Sequence, residues 1–423
     1  MALESVITVG SASIKYGFGS TREVGFDMKE LGAKRVMVVT DHNLAQTEPV
    51  KLTLNTLRHE GLEAVLYSGA RVEPTDASMK EAIDFALRGS FDGFVGVGGG
   101  SSLDTAKVAN LYSTYPDDFL SYVNAPIGKG MPVPGPLKPL IGIPTTAGTG
   151  SETTGVVIFD LVEMRAKTGI AHRYLKPTLG LIDPENTRTL PPMVATSTGF
   201  DVLVHALESY TNMPFDQRER PERPLLRPAY QGRNPISDLW SAEAIRTAAR
   251  YLPRAVENPE DDEARAKMIM AAAFAGVGFG NAGLHLPHGM SYPVSGMARD
   301  YHPPGYPEPL IPHGISVVLN APASFRFTGS GCPERHLQAA EFLGANVSHA
   351  KAADAGDILA DQVITYMQRL KVPNGLSAVG YTKGDIPALV EGTLPQHRVI
   401  KLSPRPVGRA ELTELFEKSM VIW

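Results

Sequence analysis

The chain has 423 residues, 43% of them hydrophobic and 20% charged, with 40 basic against 45 acidic side chains and a net charge of −5. These are globular values in a chain too long for one ordinary core, so two domains are expected. The acidic balance argues against nucleic acid or an anionic membrane as the main partner and leaves a small-molecule substrate as the expectation. Cys332 is the single cysteine, so no internal disulfide can form, which fits a reducing compartment. The sequence Met1-Ala-Leu-Glu-Ser-Val-Ile has no basic region followed by a long apolar stretch, and no later segment holds about 18 uninterrupted apolar residues. A cytoplasmic enzyme is expected, or one of the mitochondrial matrix if the source is eukaryotic.

Residues 35–40 (Arg-Val-Met-Val-Val-Thr) and 63–67 (Glu-Ala-Val-Leu-Tyr) read as buried strands, and residues 78–88 as a helix with Met79, Ile83 and Leu87 on one face. Residues 94–97 form a strand running into glycine, and residues 140–143 one that ends at Pro144. Near-continuous apolar strands separated by helices indicate a parallel sheet with helices on both faces. From about Ser197 helical patterns dominate, over residues 238–254, 262–279, 350–370 and 409–418. A boundary near Pro191-Pro192 therefore gives an α/β dinucleotide-binding domain over 1–192 and an all-helical, metal-binding catalytic domain over 193–423. Between Asn212 and Asn234 an insertion rich in arginine and proline reads as a surface loop.

Three features of the first domain suggest a nucleotide. Gly98-Gly99-Gly100-Ser101-Ser-Leu-Asp104 is a glycine turn between a strand and a helix start, where amides can meet a pyrophosphate. A tight turn with no ligand has the same pattern, and the spacing is neither G-x-G-x-x-G nor a Walker motif. Pro144-Thr145-Thr146-Ala-Gly-Thr149-Gly-Ser151-Glu152 also follows a strand and offers hydroxyls and amides. Two such loops at strand carboxyl ends point to one nucleotide crevice. Asp41 ends an earlier strand, where a carboxylate can accept from ribose and repel a 2′-phosphate, favouring NAD over NADP; capping the segment from Asn43 onward is the competing role.

In the second domain, Asp201 and His205 stand four apart on one face of a helical segment. His288 and His313 follow in matching Pro-His-Gly contexts, where glycine lets the backbone come close to something. One carboxylate and three imidazoles suit Fe(II) or Zn(II) with a position left open for substrate.

Together these residues resemble the iron-containing (group III) alcohol dehydrogenase family over nearly the whole chain, most specifically in Gly98-Gly-Gly-Ser-Ser-Leu-Asp-Thr-Ala-Lys107 and Pro144-Thr-Thr-Ala-Gly-Thr-Gly-Ser-Glu152. The resemblance implies a dehydroquinate synthase-like architecture, Asp201, His205, His288 and His313 as metal ligands, and NAD held by Asp41, Gly98, Gly99, Gly100, Ser101, Asp104, Thr145, Thr146, Thr149, Ser151 and Lys167. It also implies a homo-oligomer, a dimer or larger. Arg71-Val-Glu-Pro-Thr75, Arg227-Pro-Ala-Tyr-Gln-Gly-Arg-Asn-Pro-Ile-Ser237 and Gly283-Leu-His-Leu-Pro-His-Gly-Met-Ser-Tyr-Pro293 resemble the hydroxyacid–oxoacid transhydrogenase branch. That branch oxidises 4-hydroxybutyrate to succinate semialdehyde while reducing 2-oxoglutarate to 2-hydroxyglutarate on a nicotinamide that stays bound. Many relatives carry a relay histidine four residues after the first Pro-His-Gly ligand; here it is Tyr292, whose hydroxyl can relay or merely pack.

The expected chemistry is metal-assisted hydride transfer between a carbinol carbon and the nicotinamide C4. Substrate carboxylates need a cation, and Arg299, Arg326 and the arginines of the insertion are candidates by type. The competing readings are an NAD-dependent alcohol dehydrogenase that releases NADH, a lyase of the same architecture, and a nucleotide-binding protein without catalysis.

Overall fold

Two units make up the chain in the computed structural model, which describes residues 2–164, 166–298, 300–304, 306 and 309–423. One is Gly10–Leu190; the other joins Met1–Val9 to Pro191–Trp423. Residues 2–9 thus go with the helical unit, not with the α/β domain read as spanning 1–192. They are tied there by Glu4, which takes the Arg227 guanidinium at 2.8 Å, and by Thr8, whose backbone exchanges hydrogen bonds with the Gln231 amide. Arg299 lies outside the described residues.

In the α/β unit the elements run β1 (Ser13–Tyr16), α1 (Val24–Glu30), β2 (Arg35–Asp41), α2 (Glu48–His59), β3 (Glu63–Ala70), α3 (Asp76–Gly89), β4 (Gly93–Gly98), α4 (Gly100–Thr114), β5 (Leu140–Pro144), β6 (Val156–Leu161), β7 (Ala166–Ala171) and β8 (Leu179–Ile182). Six strands form one parallel sheet in the order β1-β8-β5-β4-β2-β3, and β6 pairs with β7 antiparallel. Side chains alternate across a strand, and β2 shows why its whole sequence is apolar. Val36 and Val38 enter a core with Val24 and Met28 of α1 and Val50 and Leu57 of α2. Met37 and Val39 enter another with Ala82 and Ala86 of α3 and Ala106 and Ala109 of α4. Each fully buried aliphatic side chain of this kind contributes about 1.5–3 kcal/mol.

The topology locates a binding crevice inside this unit. From β2 the chain steps outward to β3, then crosses back to β4 on the other side of β2. The strand order reverses between β2 and β4, and in open parallel sheets ligands bind at the carboxyl ends flanking such a reversal. Asp41 ends β2 and Gly98 ends β4.

The other unit continues with α5 (Pro192–Thr211), α6 (Pro235–Glu257), α7 (Asp262–Ala282), α8 (Leu286–Gly296), α9 (His313–Val318), α10 (Ala321–Thr328), α11 (Pro333–Phe342), α12 (Ala355–Arg369), α13 (Ile386–Thr393), α14 (His397–Ile400) and α15 (Arg409–Ser419). The helix read over 350–370 begins later, at Ala355, because the Asp354 carboxylate accepts the Lys351 amide at 3.1 Å and closes a separate turn over 352–354. The insertion 212–234 carries only short 3-10 turns, at Phe215–Gln217 and Pro224–Leu226, as its prolines require. Among the described residues no single helix is long and apolar enough to cross a membrane; α7 and α8 are apolar enough only as a pair, meet at 105° and are largely buried.

Candidate metal centre and cofactor loops

Helix α5 is buried on nearly every side, so its polar residues need partners or a ligand. Asp201 and His205 project from it beside His288, the third residue of α8, and His313, the first of α9. Gly314 is what lets α9 approach: a Cβ there would collide with the backbone oxygen of Ser197, and any larger side chain would push His313 away. The Asp201 Oδ1 lies 3.6 Å from His205 Nδ1, 3.4 Å from His288 Nε2 and 3.6 Å from His313 Nε2.

Three of these atoms, Asp201 Oδ1, His205 Nδ1 and His288 Nε2, are sealed from water and have no hydrogen-bond partner among the described residues. An orphaned buried polar atom costs about 1–3 kcal/mol, and three that converge on one point, all within 4.8 Å of one another, form a donor set for a cation. One carboxylate oxygen and imidazole nitrogens match the ligand types that divalent transition metals take. The His313 side chain is 25% exposed while the other three are nearly sealed, so the cluster is reached from its side.

The electrostatics without an ion show the same strain. Burial pushes the Asp201 carboxyl up, but the imidazoles of His205, His313 and His288 outweigh it and hold it well below the usual range. Burial takes His205 down to about 3. Burial also opposes a charged His288, yet the carboxylates of Glu208 and Asp201 prevail and raise it to about 9.

Glu208, a residue that sequence reasoning did not single out, organises this arrangement. Its Oε2 bonds His288 Nδ1, and its Oε1 accepts the amides of His285 at 2.9 Å and His288 at 3.2 Å, pinning the start of α8. A carboxylate on Nδ1 fixes a proton there, so that in the neutral form a metal selects the lone pair is on Nε2, the atom facing Asp201. The signal was in the sequence: Asp201, His205 and Glu208 are spaced i, i+4, i+7 on one helix face. The His205 ring stacks on Phe279, with centroids 4.1 Å apart, and on His288 at 4.3 Å. His285 is turned elsewhere, its Nε2 on the Thr211 hydroxyl at 3.1 Å, and His302 is exposed. Arg326 is spent on Asp357 and Asp361, not on this cluster.

At the carboxyl ends of the sheet the loops read as cofactor-binding come together. Gly98 has φ +149°, and a Cβ there would stand 2.6 Å from the Ser102 hydroxyl and 3.3 Å from Leu44 of the turn after Asp41. A Cβ on Gly99 would be 3.5 Å from Thr146, and one on Gly100 2.6 Å from Thr149. The Thr145 amide donates to the Gly98 carbonyl at 2.9 Å. Among the described residues no side chain caps the N-terminus of α4, which leaves its first amides without a side-chain partner. Asp41 Oδ1 accepts the amides of Asn43 and Leu44, but it closes a turn: α2 does not begin until Glu48.

Asp104 and Ser151, expected at the cofactor, are bonded to each other and to Lys107. Asp104 Oδ1 accepts Ser151 Oγ at 2.5 Å and the Lys107 ammonium at 3.3 Å, while Oδ2 accepts the Ile158 amide. Lys107, wholly buried in α4, also donates to Ser151 Oγ and to the Val156 carbonyl. These side chains clamp the threonine loop to α4 and β6. Lys167 on β7 is buried between Glu73 at 2.6 Å and Asp160 at 3.0 Å. Tyr292, read as a relay, is buried with its hydroxyl accepting from Arg398 at 2.9 Å.

The family model for iron-containing alcohol dehydrogenase matches residues 11–184, and the C-terminal model of the same family matches residues 229–420. The chain belongs to the iron-containing alcohol dehydrogenase family. It is an oxidoreductase of that family. The chain is 58% identical to the mitochondrial hydroxyacid-oxoacid transhydrogenase of Xenopus laevis and 55% identical to that of Homo sapiens, over 97% of its own length and 90% and 89% of theirs. Within the family its fold matches the crystal structure of a 1,3-propanediol oxidoreductase with a TM-score of 0.86 at 26% identity, covering 98% of this chain and all of that one. The alcohol dehydrogenase of Oenococcus oeni matches equally, with the same TM-score, identity and coverage.

Proposed function

We propose that the protein is a hydroxyacid–oxoacid transhydrogenase that oxidises 4-hydroxybutyrate and reduces 2-oxoglutarate on one nicotinamide. The observation that carries this reading is the convergence of orphaned donors from Asp201, His205 and His288, with His313 at the accessible side, in a chain so close over its full length to proteins named for that activity. Asp201, His205, His288 and His313 hold the metal, taken to be Fe(II), with Zn(II) compatible with the same donors. When bound, the metal supplies Lewis acidity toward the reacting oxygen.

The chain's own residues do the rest. Glu208 keeps the His288 lone pair directed inward, and the Phe279 ring excludes water from the face of His205. Gly99, Gly100, Ser101, Thr145, Thr146 and Thr149 receive NAD at the sheet's carboxyl ends, with Asp41 on the adenine ribose. Asp104, Lys107 and Ser151 hold that loop, and Lys167 is kept in place by Glu73 and Asp160. The working form is a homo-oligomer; its relatives are named mitochondrial, which supports the mitochondrial matrix as its place if the source is eukaryotic.

The test is incubation with 4-hydroxybutyrate and 2-oxoglutarate, with and without added NAD. Succinate semialdehyde and 2-hydroxyglutarate should accumulate in equal amounts without added NAD. Accumulation of NADH that depends on added NAD, with no product from 2-oxoglutarate, would establish a simple dehydrogenase instead.

Cofactor choice gives a second prediction. Asp41→Asn keeps an acceptor for the amides of Asn43 and Leu44 but removes the charge, so the turn survives while repulsion of a 2′-phosphate is lost. The preference for NAD over NADP should narrow by roughly 1–3 kcal/mol, or about 5- to 150-fold. Measured affinities for the two nucleotides that keep the wild-type ratio would leave Asp41 only as a turn cap.

A further inference from the structure

Near the donor cluster stands a cation that no anion balances among the described residues. Arg398, in α14, donates from Nη2 to the Tyr292 hydroxyl at 2.9 Å, and its guanidinium lies 4.7 Å from the centroid of the Tyr230 ring. Its Nη1 is buried and has no hydrogen-bond partner. Among the described residues no carboxylate pairs with it, whereas Arg227 has Glu4, Arg335 has Asp238 and Arg326 has Asp357. A guanidinium nitrogen sealed from water without a counter-charge costs several kcal/mol, which an arriving carboxylate would relieve.

Two chains of contact tie Arg398 to the candidate metal centre. Tyr292 is four residues after His288 on α8, so the two share a face and stand one helical turn apart, about 6 Å along the axis. Tyr230, under the guanidinium, packs edge-on to Phe279, which stacks on His205. One helical turn is also about the reach of a four- or five-carbon acid from its reacting oxygen to its far carboxylate.

We infer that Arg398 is the carboxylate anchor of the substrate site, its Nη1 taking an oxygen of the hydroxy acid in one half-reaction and of the oxo acid in the other. This rests on the transhydrogenase reading and adds to it the residue that selects acids over neutral alcohols. Tyr292 becomes a positioning residue: its hydroxyl holds Nη2 and so directs Nη1. A histidine at 292 would be shorter and could not hold that nitrogen in the same place.

The test compares wild type with Arg398→Met and Arg398→Lys, each checked for metal content and circular dichroism. The kcat/KM ratio for 4-hydroxybutyrate over 1-butanol should fall about 100-fold in Arg398→Met, through KM, because a charge-assisted pair is lost. Arg398→Lys keeps the charge without the fork, and its ratio should fall about 10-fold. Calorimetric binding of 4-hydroxybutyrate to the metal- and NADH-loaded protein, where the acid finds no hydride acceptor, gives a readout that needs no turnover, and it should weaken in the same order. If Arg398→Met does not fold, Arg398→Lys decides alone. A wild-type ratio and wild-type acid binding in the folded variants would overturn the inference, as would failure of wild type to bind the acid. If wild type shows no coupled turnover but binds the acid through Arg398, the transhydrogenase reading fails and the anchor stands.

Discussion

Replacing His205 with alanine is expected to abolish metal binding and nearly all turnover while leaving the fold in place. His205 presents one of the three sealed, unpartnered atoms of the cluster, and without it two buried donors and the partly exposed His313 remain. The lost Lewis acidity is worth several kcal/mol, on the order of 10³-fold in rate or more. Stability should change far less. The ring's stacking on Phe279 and His288 contributes about 0.5–1.5 kcal/mol per contact, and without metal the wild-type cluster already carries orphaned polar atoms that the substitution partly relieves. Metal per chain, circular dichroism and coupled turnover measure the three quantities separately. Wild-type metal content in the variant would sink the ligand assignment.

What could be read from the sequence divides along the range of the interactions. Asp201 and His205 were legible because a helix fixes residues four apart, and the two Pro-His-Gly segments because glycine beside a histidine marks close approach, as Gly314 against Ser197 bears out. The strands β2, β4 and β5 were legible because burial on both faces demands unbroken apolar runs; β3 reads correctly as a strand but not as a buried one, since it is the edge of the sheet and only Ala64 and Ala70 are buried. The strands β1 and β8 were not: each is only four residues, β1 is largely exposed, and β8 contains a glycine, so neither has a periodicity to detect. Asp104 and Ser151 carry the right chemistry for a nucleotide and stand in the right motifs. Their commitment to Lys107 depends on α4 being buried all round, which only the packing reveals. Arg398 lies 106 residues from Tyr292 in sequence, and no local pattern connects them. The arginine-rich insertion drew attention by composition, yet Arg227 there is paired to Glu4.

Glu208→Gln should weaken metal binding by about 10- to 100-fold without unfolding the protein. Glutamine is nearly isosteric, and its Oε1 can still accept the amides of His285 and His288, so the entry into α8 is preserved. The change falls on the other atom. Glu208 Oε2 is an acceptor against His288 Nδ1, and in Gln that position becomes an NH₂ group that can only donate. His288 must then offer a lone pair from Nδ1, which moves its proton to Nε2, the atom facing Asp201 at 3.4 Å. A protonated Nε2 cannot ligate, and restoring the ligating tautomer leaves two donors in opposition inside a sealed space. The substitution also removes the buried negative charge that makes His288 a stronger base. Chelator competition gives the affinity, and thermal unfolding of the metal-free proteins checks that the helices remain packed. Equal affinity in wild type and variant would mean that the His288 tautomer is set by something other than Glu208.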